Sequence, residues 1–373
     1  MKIALACSGV GRELRGFEAF TESLYGALRQ YAPHIDATLF QGAGLKNAHR
    51  ITVPSLGRYD VPARVFGTQK AYMLETRSFG MALYPLLRRG RYDVVHYSDL
   101  LTGSVLFHLR RNFGGRFKLL YCNGAPSPPV HYHHRCDAAQ LLTGPHYEEA
   151  VAFGIGEERL FLIPYGVDAE MFSPDVSHSR LKIRSELGIP ENAKVILTVA
   201  ALKREHKRVD HLLREIAQLN NSLWLVAAGQ KTEETDSLRE EAERYLPGRW
   251  RFLSWPRERM HLLYTAADAF SLGSLTEGFG LVIVEAMLSG LPILVHDAPV
   301  FRWIAGHSDV RCINMAKQGA LAMALTEILT NGSCSNSRGE GLERFSWERL
   351  VGQYLKMYQQ VAEAAFGKVR NGK

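Results

Sequence analysis

Two carboxylates, Glu277 and Glu285, flank a glycine turn that opens into an apolar run, Glu277-Gly-Phe-Gly-Leu-Val-Ile-Val-Glu285-Ala-Met-Leu-Ser-Gly-Leu291. Gly278 and Gly280 let the backbone pass close to a ligand, and a helix starting behind them offers unpaired N–H groups and a positive dipole end, which suits a phosphate or sugar oxygen. An ionised carboxylate accepts hydrogen bonds from hydroxyl groups. The spacing places Glu277 just before the helix and Glu285 about two turns inside it, so that both address one cleft and grip hydroxyl-rich rings. A carboxylate among Leu281, Val282, Ile283, Val284, Ala286, Met287 and Leu288 needs a partner. The plainer alternative is a capped helix with Glu277 at the dipole and Glu285 exposed.

Alternating elements would hold this segment. Lys2 to Cys7 reads as a strand, and Gly9, Gly11 and Gly16 lead into Phe17, Phe20, Leu24, Leu28 and Tyr31 at helical spacing. Strand-like runs follow at Ile35 to Phe40, Asp93 to His96, Phe117 to Cys122, Ala138 to Leu142 and Leu160 to Ile163, with helical patterns near 67 to 89, 102 to 112 and 145 to 153. After the polar stretch Ser173 to Ser179 the pattern restarts: strand Val195 to Ala200, helix 208 to 219, strand Leu223 to Ala228, helix 235 to 245, strand Trp250 to Leu253. Such alternation predicts α/β architecture, two Rossmann-like doubly wound parallel sheets whose loops face a central cleft.

The Glu, seven residues, Glu pattern with Gly-Phe-Gly after the first Glu resembles the signature of retaining GT-B glycosyltransferases of family four. Its surroundings resemble the family as well. Tyr264 to Leu272 is similar to the strand before the signature, Gly290 to Asp297 to the strand after it, and Ile163-Pro-Tyr-Gly-Val-Asp168 with Phe172 and Pro174 to the interdomain segment. Ser346-Trp-Glu with Tyr354 and Tyr358 resembles the closing helix that returns to the first domain. The resemblance implies a GT-B fold with an N-terminal, acceptor-side domain over 1–172, joined by 346–373, and a C-terminal, donor-nucleotide domain over 173–345.

The resemblance also distributes roles. Glu277 would hold donor-sugar hydroxyls as the catalytic carboxylate, the N–H groups of Phe279, Gly280 and Leu281 beside Gly278 would meet sugar or phosphate, and Glu285 would bind the ribose. A diphosphate leaving group gains charge as its bond to the sugar breaks, and cations aimed at it stabilise that change. The loop Leu202-Lys203-Arg204-Glu205-His206-Lys207-Arg208 supplies them. Lys207 resembles the family's phosphate-binding lysine. Ala201 stands where the family usually has an arginine, so Lys203 or Arg204 would substitute, with Gly11 reaching the diphosphate through its N–H. Trp250 to Trp255, including Ser254, resembles the segment that reads the base, and Trp255 either stacks on the base or packs between domains. Asn123 stands where many members carry a histidine; it can hydrogen-bond acceptor or sugar but cannot shuttle a proton near neutral pH. His131, in the run Pro126 to Cys136, is placed in an acceptor loop. His131, His133, His134 and Cys136 lack the paired spacing of a zinc site, and no Asp-x-Asp occurs, so no metal or other cofactor is expected.

Composition agrees with two soluble domains. The chain has 373 residues and 46% hydrophobic residues, and its five cysteines are scattered, which fits reduced thiols. Without a long apolar run or a signal segment, a cytoplasmic place is expected. Residues 1–140 hold 18 Lys and Arg against 9 Asp and Glu, whereas 141–373 hold 27 against 29. Arg88, Arg89, Arg91, Arg110, Arg111, Arg116 and Lys118 therefore make a basic face, read either as a peripheral contact with anionic membrane or as a solvated surface. No nucleic-acid partner is expected.

The sequence predicts a metal-independent glycosyltransferase that moves a sugar from a nucleoside-diphosphate sugar to a hydroxyl acceptor, lipid-linked, glycan or small molecule, with retained configuration. A GT-B sugar-nucleotide epimerase and a non-catalytic nucleotide-sugar binder share the same features. A nicotinamide oxidoreductase fits poorly, because Leu14 breaks the Gly9-x-Gly11 fingerprint and Asp36 opens the second strand where a ribose-binding acid should close it.

Overall fold

The computed structural model describes residues 1–13, 16–44, 46–60, 65, 67–125, 130–174, 178–219, 223–331 and 336–364. The chain divides into two compact units, Met1–Gly166 with Trp347–Lys373, and Val167–Ser346. The boundary falls earlier than 172/173 for a local reason: Phe172 packs edge-on against Tyr264 with ring centroids 5.5 Å apart, and the Val167 N–H donates to the Phe345 carbonyl at 2.8 Å.

The first unit is built on seven parallel strands, β1 (Lys2–Cys7), β2 (Asp36–Gln41), β3 (Arg50–Thr52), β4 (Val94–Tyr97), β5 (Lys118–Asn123), β6 (Ala138–Leu141) and β7 (Leu160–Leu162). Their order is β3-β2-β1-β4-β5-β6-β7, which reverses direction between β1 and β4. β1 is buried from Ile3 to Cys7, as expected of a parallel strand covered on both faces. The helix Gly16–Tyr31 turns Phe20, Leu24 and Leu28 inward. The closing helix Trp347–Glu363 belongs to this unit: Trp347 Nε1 donates to Ser23 Oγ at 2.6 Å, Tyr354 OH to the Pro164 carbonyl at 2.9 Å, and Tyr358 OH meets His96 Nδ1 at 2.8 Å. The helices Thr68–Gly90 and Leu100–Phe113 end in Arg88, Arg89, Arg110 and Arg111, immediately before β4 and β5, so the basic face lies at the amino edge of the sheet.

The second unit repeats the plan with β8 (Lys194–Val199), β9 (Leu223–Ala228), β10 (Trp250–Leu253), β11 (Ala269–Ser271), β12 (Ile293–His296) and β13 (Arg311–Ile313), all parallel, in the order β10-β9-β8-β11-β12-β13. The run Tyr264 to Leu272, expected as one strand, is split. Tyr264 lies on the helix Met260–Ala266, and only Ala269–Ser271 pairs in the sheet. The reversal falls between β8 and β11, which makes the loops after these two strands neighbours at the carboxyl edge.

Candidate active site

In open parallel sheets, ligands bind beyond the strand carboxyl ends where the order reverses. In the second unit that place is formed by residues 200–208 after β8 and 272–280 after β11. The two loops are fastened together. Arg208, in the left-handed region at φ 50°, donates from Nη1 to the carbonyls of Gly273 at 3.3 Å and Met315 at 2.9 Å. A Cβ on Gly273 would stand 2.9 Å from the Lys207 carbonyl oxygen, so only glycine lets the loops approach this closely. The approach brings Lys207 Nζ to 2.5 Å from Glu277 Oε1, with the side chains 21% and 11% exposed. A cation and a carboxylate predicted from separate segments thus form one short, charge-assisted contact.

The turn behind Glu277 does what its glycines allow. Gly280 sits at φ 82° and starts the helix Leu281–Leu288, whose first turn has no side-chain cap. The Ile283 N–H donates to the Gly280 carbonyl at 2.8 Å, whereas the N–H groups of Leu281 and Val282 have no backbone acceptor among the described residues and remain available to an anion. Gly278 is buried, and Phe279, 3% exposed, packs edge-on against Phe345 at 5.8 Å, which leaves its backbone as its contribution.

Glu285 differs from expectation. It is the fifth residue of the helix, a little over one turn in, and it is fully buried, so it does not open on a cleft shared with Glu277. The helix begins only at Leu281, and the added rotation turns Glu285 into the unit. There Arg257 Nη1 donates to Oε1 and Tyr264 OH donates to Oε2 at 2.7 Å. Burial first and the Glu285 charge second push the Tyr264 phenol far above its ordinary range, so it stays a donor. Arg257 lies on the short turn Arg257–Arg259 and places its guanidinium 5.4 Å from the Phe172 ring centre. Its role was not read from the sequence.

Arg204 is also corrected. Its guanidinium donates to Ser237 Oγ at 2.8 Å and Glu241 Oε2 at 2.9 Å on the helix Thr235–Tyr245, because that helix presents acceptors on the outer side of the loop. It is thereby turned from the expected phosphate clamp. Lys203 makes no side-chain hydrogen bond or ion pair among the described residues and remains the second cation of the loop. His206, unmarked in the sequence reading, has φ 65°, and the Thr276 backbone favours the protonated form of its imidazole. Its Nε2 is buried without a hydrogen-bond partner among the described residues. Burial, then the charges of Lys207 and Lys203, push its pKa below the ordinary value, against an opposing pull from Glu277. Ser254 is exposed just past β10. Trp255 donates from Nε1 to the Arg259 carbonyl at 2.8 Å, and the Arg259 guanidinium covers its ring at 4.8 Å, so one face is occupied.

The first unit holds the remaining residues. Gly11 adopts φ 78°, and a Cβ there would lie 2.1 Å from the Ala43 carbonyl oxygen, so glycine is demanded by packing inside this unit. Asn123 ends β5 fully buried. Its Oδ1 accepts from the Ala125 N–H at 3.3 Å, and its Nδ2 has no partner among the described residues. His131 falls on the turn Val130–Arg135, and its side chain lies outside the described residues. At the β1/β4 reversal, a polar network escaped the sequence reading. Ser8 Oγ donates to Asp99 Oδ2 at 3.0 Å, Tyr72 OH donates to Asp99 Oδ1 at 2.8 Å, and Arg58 grips Glu75 through Nε at 3.0 Å and Nη2 at 2.7 Å.

Two parallel α/β units, the second carrying a lysine–glutamate contact beside an uncapped helix start at its reversal, define a protein of GT-B fold. Solved structures share it along nearly the whole chain. Sucrose-phosphate synthase from Thermosynechococcus elongatus superposes with a TM-score of 0.80 at 19% identity, covering 97% of this chain and 99% of that one. Anabaena HepE in complex with UDP and glucose gives 0.75 at 18% identity, covering 96% and 99%. Residues 179–343, nearly all of the second unit, match the family model of glycosyl transferases group 1. D-inositol 3-phosphate glycosyltransferases are similar in sequence. That of Mycolicibacterium smegmatis is 28% identical over 307 residues, 73% of this chain and 68% of the relative, and that of Corynebacterium glutamicum 26% identical over 319 residues, 75% of each.

Proposed function

We propose that this glycosyltransferase takes a sugar from a nucleoside-diphosphate sugar and transfers it, with retained anomeric configuration and without a metal ion, to a hydroxyl acceptor. The observation that carries the reading is the contact between Lys207 and Glu277 at the sheet reversal, beside the uncapped start of Leu281–Leu288. A phosphate drawn to Lys207, Lys203 and the helix N–H groups would free Glu277 to accept hydrogen bonds from the sugar ring. Glu285 would take the ribose once Arg257 yields an oxygen, with the Ser254 segment beside the base. As the C1–O bond to the diphosphate breaks, negative charge grows on the leaving oxygen next to these cations. The acceptor oxygen bonds C1 on the same face and passes its proton to the departing phosphate. Asn123, whose buried Nδ2 needs an acceptor, would serve the acceptor or sugar in the first unit. The UDP and glucose of the Anabaena structure and the D-inositol 3-phosphate of the relatives' names support a nucleotide-sugar donor and a polyol acceptor.

A thermal-shift panel of UDP-, GDP- and ADP-sugars tests the donor: one base series raises the melting temperature and the others do not. With that donor, Glu277→Gln abolishes most transfer. Transfer at the wild-type rate would remove Glu277 from the mechanism.

A further inference from the structure

We propose that His206 takes up a proton when the diphosphate of a nucleotide-sugar donor binds, which makes donor binding by the second unit proton-linked. The inference rests on the donor reading above.

It starts from two costly features at one residue. His206 is a non-glycine residue in the left-handed region, and its Nε2 is buried without a partner among the described residues. Backbone strain and an orphaned buried polar atom persist where the surroundings impose them, and they concentrate at sites that await a ligand. His206 adjoins Lys207, and its imidazole feels both the Thr276 backbone and the carboxylate of the next residue, Glu277. It therefore sits on the loop that Lys207 and Arg208 fasten to the loop of Gly273 and Glu277.

The charges around it then decide the direction. Lys203 and Lys207 on its own loop and Glu277 on the facing loop are the charged groups that act on it. Arg204 is turned to Ser237 and Glu241, and Arg208 is spent on the Gly273 and Met315 carbonyls. Two lysines thus face one carboxylate, a small surplus of positive charge for a ligand that carries a negative charge on each phosphate. Before binding, that surplus and burial keep the imidazole neutral. A bound diphosphate cancels the lysine charges and adds an attraction of its own, so the bound-state pKa rises above the free value. Between the two values binding draws a proton from solvent, and affinity grows as the pH falls through that window, by about tenfold for each unit separating them. Above the bound value and below the free value the affinity is flat. The leaving nucleoside diphosphate gains further negative charge, so the same proton remains favoured as the sugar departs.

Titration calorimetry with UDP-glucose, GDP-mannose and ADP-glucose, run on the full chain in buffers of different ionisation heat, reads the uptake directly. For the nucleotide sugar that binds, the apparent enthalpy depends on the buffer and affinity rises as the pH is lowered from about 8 to about 6. His206→Asn, which tolerates the left-handed backbone and cannot be protonated, removes both effects. His206→Lys gives pH-independent affinity at or above the best wild-type value. NMR titration of the His206 ring in the wild-type chain, with and without the nucleotide sugar, shows its pKa moving up on binding and does not depend on any variant folding. Binding with no proton uptake and an unmoved His206 titration overturns the inference and leaves the donor reading intact. Failure of every nucleotide sugar to bind overturns both.

Discussion

Lys207 Nζ stands 2.5 Å from Glu277 Oε1, although the two residues are 70 positions apart in the sequence. On the proposed donor reading, each side chain holds the other where its ligand atom would arrive, so neither would have to be ordered at the moment of binding. Lys207→Met and Glu277→Gln should each lower kcat/KM by about a hundred- to a thousandfold, the range for removing one preorganised charge at a developing anion. The double variant should lose far less than the product of the two losses, because either change already disrupts the pair. Initial rates of transfer with the donor that binds provide the measurement. Strictly multiplicative losses would show that the residues act independently.

Arg257 and Glu285 form the second such pair, with Tyr264 as its third member. Arg257→Met leaves the buried carboxylate with a single phenolic donor and should destabilise the chain by about 3 kcal/mol, since breaking a buried pair strands a charge. Tyr264→Phe removes one hydrogen bond to a charged group and should cost about 2 kcal/mol. Urea unfolding followed by fluorescence reads both. A loss below about 0.5 kcal/mol for Arg257→Met would mark the contact as an ordinary surface ion pair.

These two pairs show what the sequence can and cannot disclose. The glycine turn, the apolar helix and the long buried strands were legible, because period, apolar runs and turn residues are local properties. β3 and β13 were not, since Arg50–Thr52 and Arg311–Ile313 are three-residue edge strands without a full alternation. Tyr264 to Leu272 misled for a related reason: a short apolar run fits helix and strand alike, and the chain divides it at Ala267 and Asp268. The isolation of Glu285 announced a partner, yet Arg257 lies 28 residues earlier and is brought close only by the packing of its turn on the helix. Arg204 was misdirected because its acceptors, Ser237 and Glu241, sit on the next helix. His206 carried no signal, for its interest lies in a dihedral angle and an orphaned nitrogen.

His96 gives the first unit a titration that can be isolated. It is 3% exposed, its Nδ1 meets Tyr358 OH at 2.8 Å, and burial pushes its pKa down to about 3 from an ordinary 6.5. The folded state therefore stays neutral where the unfolded chain binds a proton. Its stabilising share is complete above pH 6.5 and is lost as the pH falls toward 3, by about 1.4 kcal/mol per unit. Between pH 7 and pH 5, urea unfolding should show the wild type losing about 2 kcal/mol more than His96→Gln. Equal losses in both chains would mean that His96 is charged inside the fold.

The basic amino edge of the first sheet supports a last expectation, a salt-sensitive contact with anionic membrane. Two of its seven cations are already engaged: Arg110 with Asp137 and the Phe117 carbonyl, and Lys118 Nζ with the Ala364 carbonyl at 2.7 Å. Arg88, Arg89, Arg91, Arg111 and Arg116 are exposed, and Phe113, 62% exposed, stands among them. Each cation near an anionic surface adds about 1 kcal/mol, and the sum is screened by salt. The chain should sediment with phosphatidylglycerol vesicles at low ionic strength, release as salt is raised, and ignore phosphatidylcholine vesicles. Changing Arg88, Arg89, Arg111 and Arg116 together to Gln should abolish the sedimentation and leave the nucleotide-sugar thermal shift unchanged, because the proposed donor site lies in the second unit. No binding at low salt would identify the face as a solvated surface, and binding that persists at high salt would show that these cations do not carry the contact.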